Sequence, residues 1–232
     1  VTQAFSSGTA YGDIDLEISR ASRDVVAKSA AIVTTWADTG AGLAPDATAA
    51  QLTAAAEAEV APLVNQVIGI AARDITRSEN AAGESALGNL IADAQRAALG
   101  TDFAFMNPGG IRADVAADEV SWGELFTVQP FGNSLVKMDL TGQQVYDLLN
   151  QQWAGQPFAR ILKTSGLTYV WDNALPAGSR VLVVSKNNAP IDKAATYSVT
   201  VNSFLADGGD NFTMLRNGTG RVGGPVDLDA LI

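Results

Sequence analysis

The feature that most restricts the fold is the apolar run Phe103-Ala104-Phe105-Met106, which stops abruptly at Asn107-Pro108-Gly109-Gly110-Ile111-Arg112. Four consecutive apolar residues bounded by turn formers read as a strand buried on both faces, which calls for layers packed on either side. A Gly pair where that strand ends allows backbone conformations that a Cβ would forbid and lets another group approach the main chain. Arg112 then sets a planar, forked cation just past the turn, a shape suited to phosphate or carboxylate.

Helical segments alternate with such strands. Leu52, Ala56, Val60, Leu63 and Val67 recur at spacings of three and four from about Thr48, with Asp46 or Thr48 as N-cap and Pro62 expected to kink or end the helix. Val67 to Ala71 reads as a strand. Ser85 to Ala98 is a second helix with Leu87, Ile91, Ala94 and Ala98 on its buried side and Gly100 just past its end. Ser121-x-x-Glu124 and Thr141-x-x-Gln144 have capping-box spacing and open two further helices around a strand from Leu135 to Leu140. The last third is β-rich, with Leu167, Tyr169 and Trp171 alternating and strands over 180–185 and 196–201. Residues 1–36 alternate too, Ile14, Leu16 and Ile18 against Asp13, Asp15 and Glu17, and predict a few short strands at the tail of a sheet that begins upstream. Asp38 to Asp46 reads as a linker. The class is α/β or α+β, with three Gly-containing loops at strand ends, where ligands tend to bind.

Composition bounds the chemistry. The 232 residues are 47% hydrophobic, with a mean hydropathy of +0.11, enough for a full core. Fifteen basic and 25 acidic residues give a net charge of −10 with no basic run, which disfavours a nucleic-acid duplex or an anionic membrane as partner. The absence of Cys removes thiolate chemistry. The absence of His weighs against a self-contained acid–base or dinuclear metal centre, so neither catalytic nor metal-ligating residues are expected here. No apolar run approaches the ~20 residues that span a bilayer. The opening Val1-Thr2-Gln3, without Met or a basic leader, and an end in mid-pattern lead us to expect a piece of a longer protein.

Three loops carry matching features. Pro130-Phe131-Gly132-Asn133 holds an aromatic between two backbone breakers, followed by an amide able to donate and accept. Phe204 precedes Gly208-Gly209-Asp210, an aromatic, a Gly pair and a carboxylate able to accept from two vicinal hydroxyls. Taken singly each has an ordinary role: Arg112 and Arg77 as surface charges, Phe131 as a plug beneath its turn, Asp210 as a turn cap, and Asn89 with Asp93 as a solvated helical pair. Together they suit an aromatic base, a sugar diol and a phosphate.

Those motifs also carry a resemblance. Glu84-Ser85-Ala86-Leu87-Gly88-Asn89-Leu90-Ile91-Ala92-Asp93-Ala94, Asn107 to Arg112, Gln129-Pro130-Phe131-Gly132-Asn133, Leu140-Thr141-Gly142, Ser165-Gly166 and Phe204-Leu205-Ala206-Asp207-Gly208-Gly209-Asp210 occur in the order and spacing of one family. Over roughly residues 60–225 the chain resembles the C-terminal domain of bacterial 5'-nucleotidases of the UDP-sugar hydrolase and ecto-5'-nucleotidase type. The resemblance implies a four-layer α/β sandwich with mixed sheets over 41–232, preceded over 1–40 by the tail of an N-terminal metallophosphatase domain and a linker. It implies that this domain binds nucleoside 5'-phosphates, while two divalent metals and the catalytic His–Asp pair belong to the N-terminal domain, its partner in the same protein. Phe131 and Phe204 would clamp the base, Asn133 would sit near it, and Asp210 would hold the ribose. Arg112 and Arg77 would face phosphate, and Asn107, Gly109 and Gly110 would line the site. A second family arginine has only Ala81 at about its position. The implied location is extracellular, periplasmic or cell-wall. The alternatives are a noncatalytic nucleotide-binding surface module, or the same domain of a 2',3'-cyclic-nucleotide phosphodiesterase or UDP-sugar hydrolase.

Overall fold

The structure, a computed structural model, describes residues 3–5, 8–35, 44 and 46–232. Contacts group the chain into two units, Val1–Glu59 and Val60–Ile232. The first holds the hairpin of β1 (Ala10–Ile18) and β2 (Val25–Thr34), paired antiparallel with Asp15 opposite Ser29. The expected few short strands are thus two long ones. The alternation has its consequence: Ile14, Leu16, Ile18 and Ile32 stay exposed with the rest of this unit's apolar face. The expected Asp38–Asp46 linker lies outside the described residues except at 44 and 46.

Helix α1 (Ala47–Val64) starts where Asp46 Oδ1 accepts from the Thr48 and Ala49 amides, 3.0 and 2.9 Å away, so Asp46 is the cap. One expectation holds here and one fails. The helix ends near Pro62, which lies in its last turn, two residues before the end. The stripe of Leu52, Val60 and Leu63 is not buried, and neither is any other residue of α1.

The second unit follows in order: β3 (Val67–Ala71), α2 (Ala86–Leu99), β4 (Phe103–Met106), β5 (Asp118–Ser121), α3 (Trp122–Val128), β6 (Ser134–Thr141), α4 (Gly142–Asn150), β7 (Lys163–Ser165), β8 (Thr168–Trp171), β9 (Val181–Lys186), β10 (Ala189–Pro190), β11 (Thr196–Asn202), α5 (Ser203–Ala206), β12 (Thr219–Val226) and α6 (Asp227–Leu231). Both capping boxes form, Ser121 with Glu124 and Thr141 with Gln144. Ser85 caps α2, and Gly100 closes it in the left-handed region. The central mixed sheet runs β12-β6-β11-β4-β7; a three-stranded sheet β10-β9-β8 and the pair β3-β5 complete a mixed α/β fold.

The buried β4 reads as expected, with a core on each face. Phe103 and Phe105 enter the cluster that includes Leu148 and Leu149 of α4, Val184 of β9 and Phe212. Met106 enters the other, with Leu87 and Ile91 of α2 and Leu125 and Val128 of α3. Within the sheet β4 and β11 run parallel, Val201 beside Phe105, while β6 runs antiparallel to β11 with Leu135 opposite Asn202. The ends of β4 and β11 and the start of β6 therefore share one edge. That edge is where the three loops meet.

Candidate functional site

Asn107, the first residue past β4, is 4% exposed and fully engaged. Its Oδ1 accepts from Asn202 Nδ2 at 3.0 Å, and its Nδ2 donates to Asp210 Oδ2 at 2.9 Å. Asn202 ends the parallel neighbour β11 and also caps α5 through the Leu205 amide. One buried amide pair thus ties the first Gly loop to the third. Residues 108–110 form a single 3-10 turn. Neither Gly109 nor Gly110 adopts a positive φ, so conformational freedom is not what this turn requires. Gly110 supplies room instead: a Cβ there would lie 2.4 Å from Met106 Cε and 3.0 Å from Asn107 Oδ1.

Arg112 is anchored by its amide, which donates to Val128 O, and its Nη1 reaches Gly109 O at 3.3 Å. Its guanidinium lies 5.9 Å from the centre of the Phe131 ring, cation–π distance. Phe131 is 57% exposed and does not plug the core beneath its turn. Asn133 follows, its Nδ2 directed at Asp227 Oδ2 (3.4 Å) and its Oδ1 accepting from Ser203 Oγ (3.3 Å). Asp227 is buried, and desolvation pushes its pKa up against the opposing hydrogen bonds from Asn133 and the Leu228 amide.

On the third loop Phe204 is 46% exposed. Gly209 makes space for its ring, since a Cβ there would fall 2.5 Å from Phe204 Cε1. Asp210 takes φ +53°, a region few non-glycine residues visit. Its Oδ1 faces Arg160 Nη1 at 3.4 Å, with both side chains 21% exposed.

Asn107, Gly109, Gly110, Arg112, Phe131, Asn133, Phe204 and Asp210 line one pocket of about 450 Å³. Arg77 lies outside it, in the adjoining cleft that shares Arg112. Its Nη1 donates to Arg112 O at 2.8 Å, and its Nε pairs with Asp114 at 3.7 Å, so it braces the Arg112 loop. Asn89 and Asp93 remain on α2, where Asp93 accepts from Ser165 of β7. Sequence reading missed Asn202, Asp227 and Arg160, whose partners in the site lie 50 to 95 residues away in the chain and carry no local signature. Among the described residues no group of three or more acidic side chains could hold a metal ion, so the two metals implied by the resemblance find no ligand set here. The pocket offers two exposed aromatic faces, an amide, a carboxylate with spare lone pairs and a guanidinium with free donors.

Fold and site together give a mixed α/β domain with a cleft at the end of its central sheet. Residues 55–217 match the model of the 5'-nucleotidase, C-terminal domain family, and the chain belongs to that family. Endonuclease YhcR of Bacillus subtilis (strain 168) is 37% identical over 234 residues, 100% of this chain and 19% of its own length. Cell wall protein Lmo0130 of Listeria monocytogenes is 32% identical over 240 residues, 93% of this chain and 30% of its own. The crystal structure of a 5'-nucleotidase precursor from Thermus thermophilus superposes with a TM-score of 0.71 at 34% identity, covering 99% of this chain and 47% of that one. The chain spans less than a third of the length of these two curated relatives. No helix among the described residues is long and apolar enough to cross a membrane.

Proposed function

We propose that this chain is the substrate-binding part of a metal-dependent hydrolase that acts on nucleoside 5'-phosphates outside the cytoplasm. The observation that carries the reading is the convergence of eight residues from three separate loops on one pocket. Their chemistry divides as a nucleotide does. Phe131 and Phe204 stack the base, Asn133 reads its edge, Asp210 accepts from the ribose hydroxyls, and Arg112 meets the phosphate with Arg77 behind it. Base stacking contributes ~1–3 kcal/mol per base in single-strand binders. The chain's share of catalysis is binding and orientation, with the ester directed toward a separate domain that supplies the metals. In this division residues 1–40 belong with that domain and 41–232 form the binding domain. The exposed apolar face of the β1–β2 hairpin is the surface expected to pack against it.

The kinship with a protein named as an endonuclease favours a second reading for the whole protein, in which the same pocket seats a nucleotide belonging to a larger ester. Calorimetry of the 232-residue chain with AMP and adenosine tests both readings. Micromolar to millimolar binding without phosphate release is expected; no detectable heat at millimolar ligand removes the site assignment.

A further inference from the structure

The segment between α4 and β7 enters none of the motifs, yet it grips the carboxylate loop from outside the pocket. Gln152 is completely buried and fixes the segment's base: its Oε1 accepts from the Leu162 amide at 2.7 Å, and its carbonyl accepts from the Arg160 amide at 2.9 Å. From this base Gln156 Nε2 donates to the Asp210 carbonyl at 2.7 Å, and Gly155 O accepts from Asn211 Nδ2 at 3.3 Å. Arg160 joins the two, its Nη1 reaching Gln156 Oε1 at 3.1 Å and Asp210 Oδ1 at 3.4 Å. Its guanidinium rests 4.8 Å from the Phe158 ring centre, which restricts its swing. These contacts hold Asp210 in a sparsely populated backbone region that the residue would not otherwise keep.

The count of lone pairs gives this grip a purpose. A carboxylate has about four acceptor sites, two per oxygen. Asn107 occupies one on Oδ2, and Arg160 faces Oδ1 as an ion pair at 3.4 Å without filling an acceptor site. At least one site remains on each oxygen, the spread that a vicinal diol requires, and the hydrogen bond from Asn107 and the ion pair with Arg160 together fix the rotation of the group. We propose that Arg160, seconded by Gln156, is the positioning residue for Asp210 and sets the selectivity of the pocket for ligands with an intact ribose diol over deoxyribose ligands. The inference rests on the nucleotide reading of the pocket. Arg160 does not line that pocket and acts only through Asp210.

The test compares the dissociation constants of adenosine and 2',3'-dideoxyadenosine on the full chain, for the wild type and for Arg160→Met, Arg160→Lys and Gln156→Ala. Hydrogen bonds to charged groups are strong enough that the wild type should prefer adenosine by roughly tenfold or more. Arg160→Met should bring that ratio close to one while the dideoxy ligand binds as before, and Arg160→Lys should restore part of it. If Arg160→Met fails to fold by circular dichroism, Gln156→Ala answers the same question, with a partial fall in the ratio expected. A ratio that persists in the folded variants overturns the inference, as does an equal weakening of both ligands, which would mark a merely structural role. A wild-type ratio near one removes the diol reading of Asp210 itself and the inference with it.

Discussion

Replacing Gly209 by Ala separates the pocket's shape from the fold's stability. Gly209 does not occupy the left-handed region, so its backbone accepts a side chain. The new methyl, however, would lie 2.5 Å from Phe204 Cε1 and 2.6 Å from Cδ1 and Cζ. Carbon atoms rest at ~3.5–4.0 Å, so the ring must withdraw by roughly 1 Å. Because the ring is nearly half exposed, it can swing toward solvent without leaving a cavity. The fold should lose no more than about 1 kcal/mol, a Tm change below ~4 °C for a chain of this length. The base platform is lost with the ring's position. At ~1–3 kcal/mol of stacking, the AMP dissociation constant should rise roughly 5- to 150-fold. Calorimetry with AMP measures this, with a thermal melt of the same sample as the control for folding. Phe204→Ala should give the same loss, and the double variant should add little, since both changes remove one contact. Gly209→Ala that binds AMP as the wild type does would refute the role of the Phe204 ring as placed.

Asp227→Asn probes the buried carboxylate behind Asn133. The folded-state pKa of Asp227 lies above its ordinary value because of desolvation, so its contribution to stability is present below the unfolded pKa and is lost as pH rises through the folded one. The variant should therefore gain Tm over the wild type as pH is raised from about 4 to 7; a pH-independent difference contradicts the assignment. Arg112→Gln should weaken AMP by up to about fivefold and leave adenosine unchanged, because the exposed guanidinium acts in screened solvent. Added salt should narrow the wild-type preference for AMP in the same way, and isothermal titration across a salt series checks both. Lys163→Met removes a buried ammonium 2.5 Å from Glu79 Oε1 and 2.5 Å from Gly83 O. Glu79 can return to water, but the Gly83 carbonyl is left unmet at a cost of about 1–3 kcal/mol, lowering Tm by roughly 3–10 °C. Amide exchange should quicken over residues 76–84, and an unchanged melt would show that the pair is not coupled to that segment.

What could be read before the structure was local. The boxes at Ser121 and Thr141 close within four residues, so the sequence contains the whole interaction, and both helices begin where expected. The two-faced burial of β4 was equally plain, since a run with no polar residue has no face to turn to water. The residues of the pocket were named because three loops repeated one chemical theme and matched one family in order. The residues that hold them were not. Asn107 and Asn202 meet only because β4 and β11 run parallel, and Arg160 reaches Asp210 only because the segment after α4 folds back over it. Periodicity misled at α1, where the spacing of Leu52, Val60 and Leu63 records a preference for one face without naming what covers it. Of the two roles the Gly109–Gly110 pair suggests, conformational freedom goes unused, while close approach is met at Gly110 by Met106. Pro62, by contrast, does mark the end of α1, which stops two residues beyond it.

Three walls of the pocket hang from different strand ends: Asn107 from β4, Phe204 just beyond β11, and Asn133 from the start of β6, with Asp227 after β12 behind Asn133. A nucleotide seated there touches segments far apart in the chain, and the unfolded chain has no such surface to offer. Binding and folding therefore become linked equilibria, in which ligand at a hundredfold excess over its dissociation constant adds about 2.7 kcal/mol to the native state. A chain exposed to fluctuating conditions would be most resistant to unfolding when its substrate is abundant.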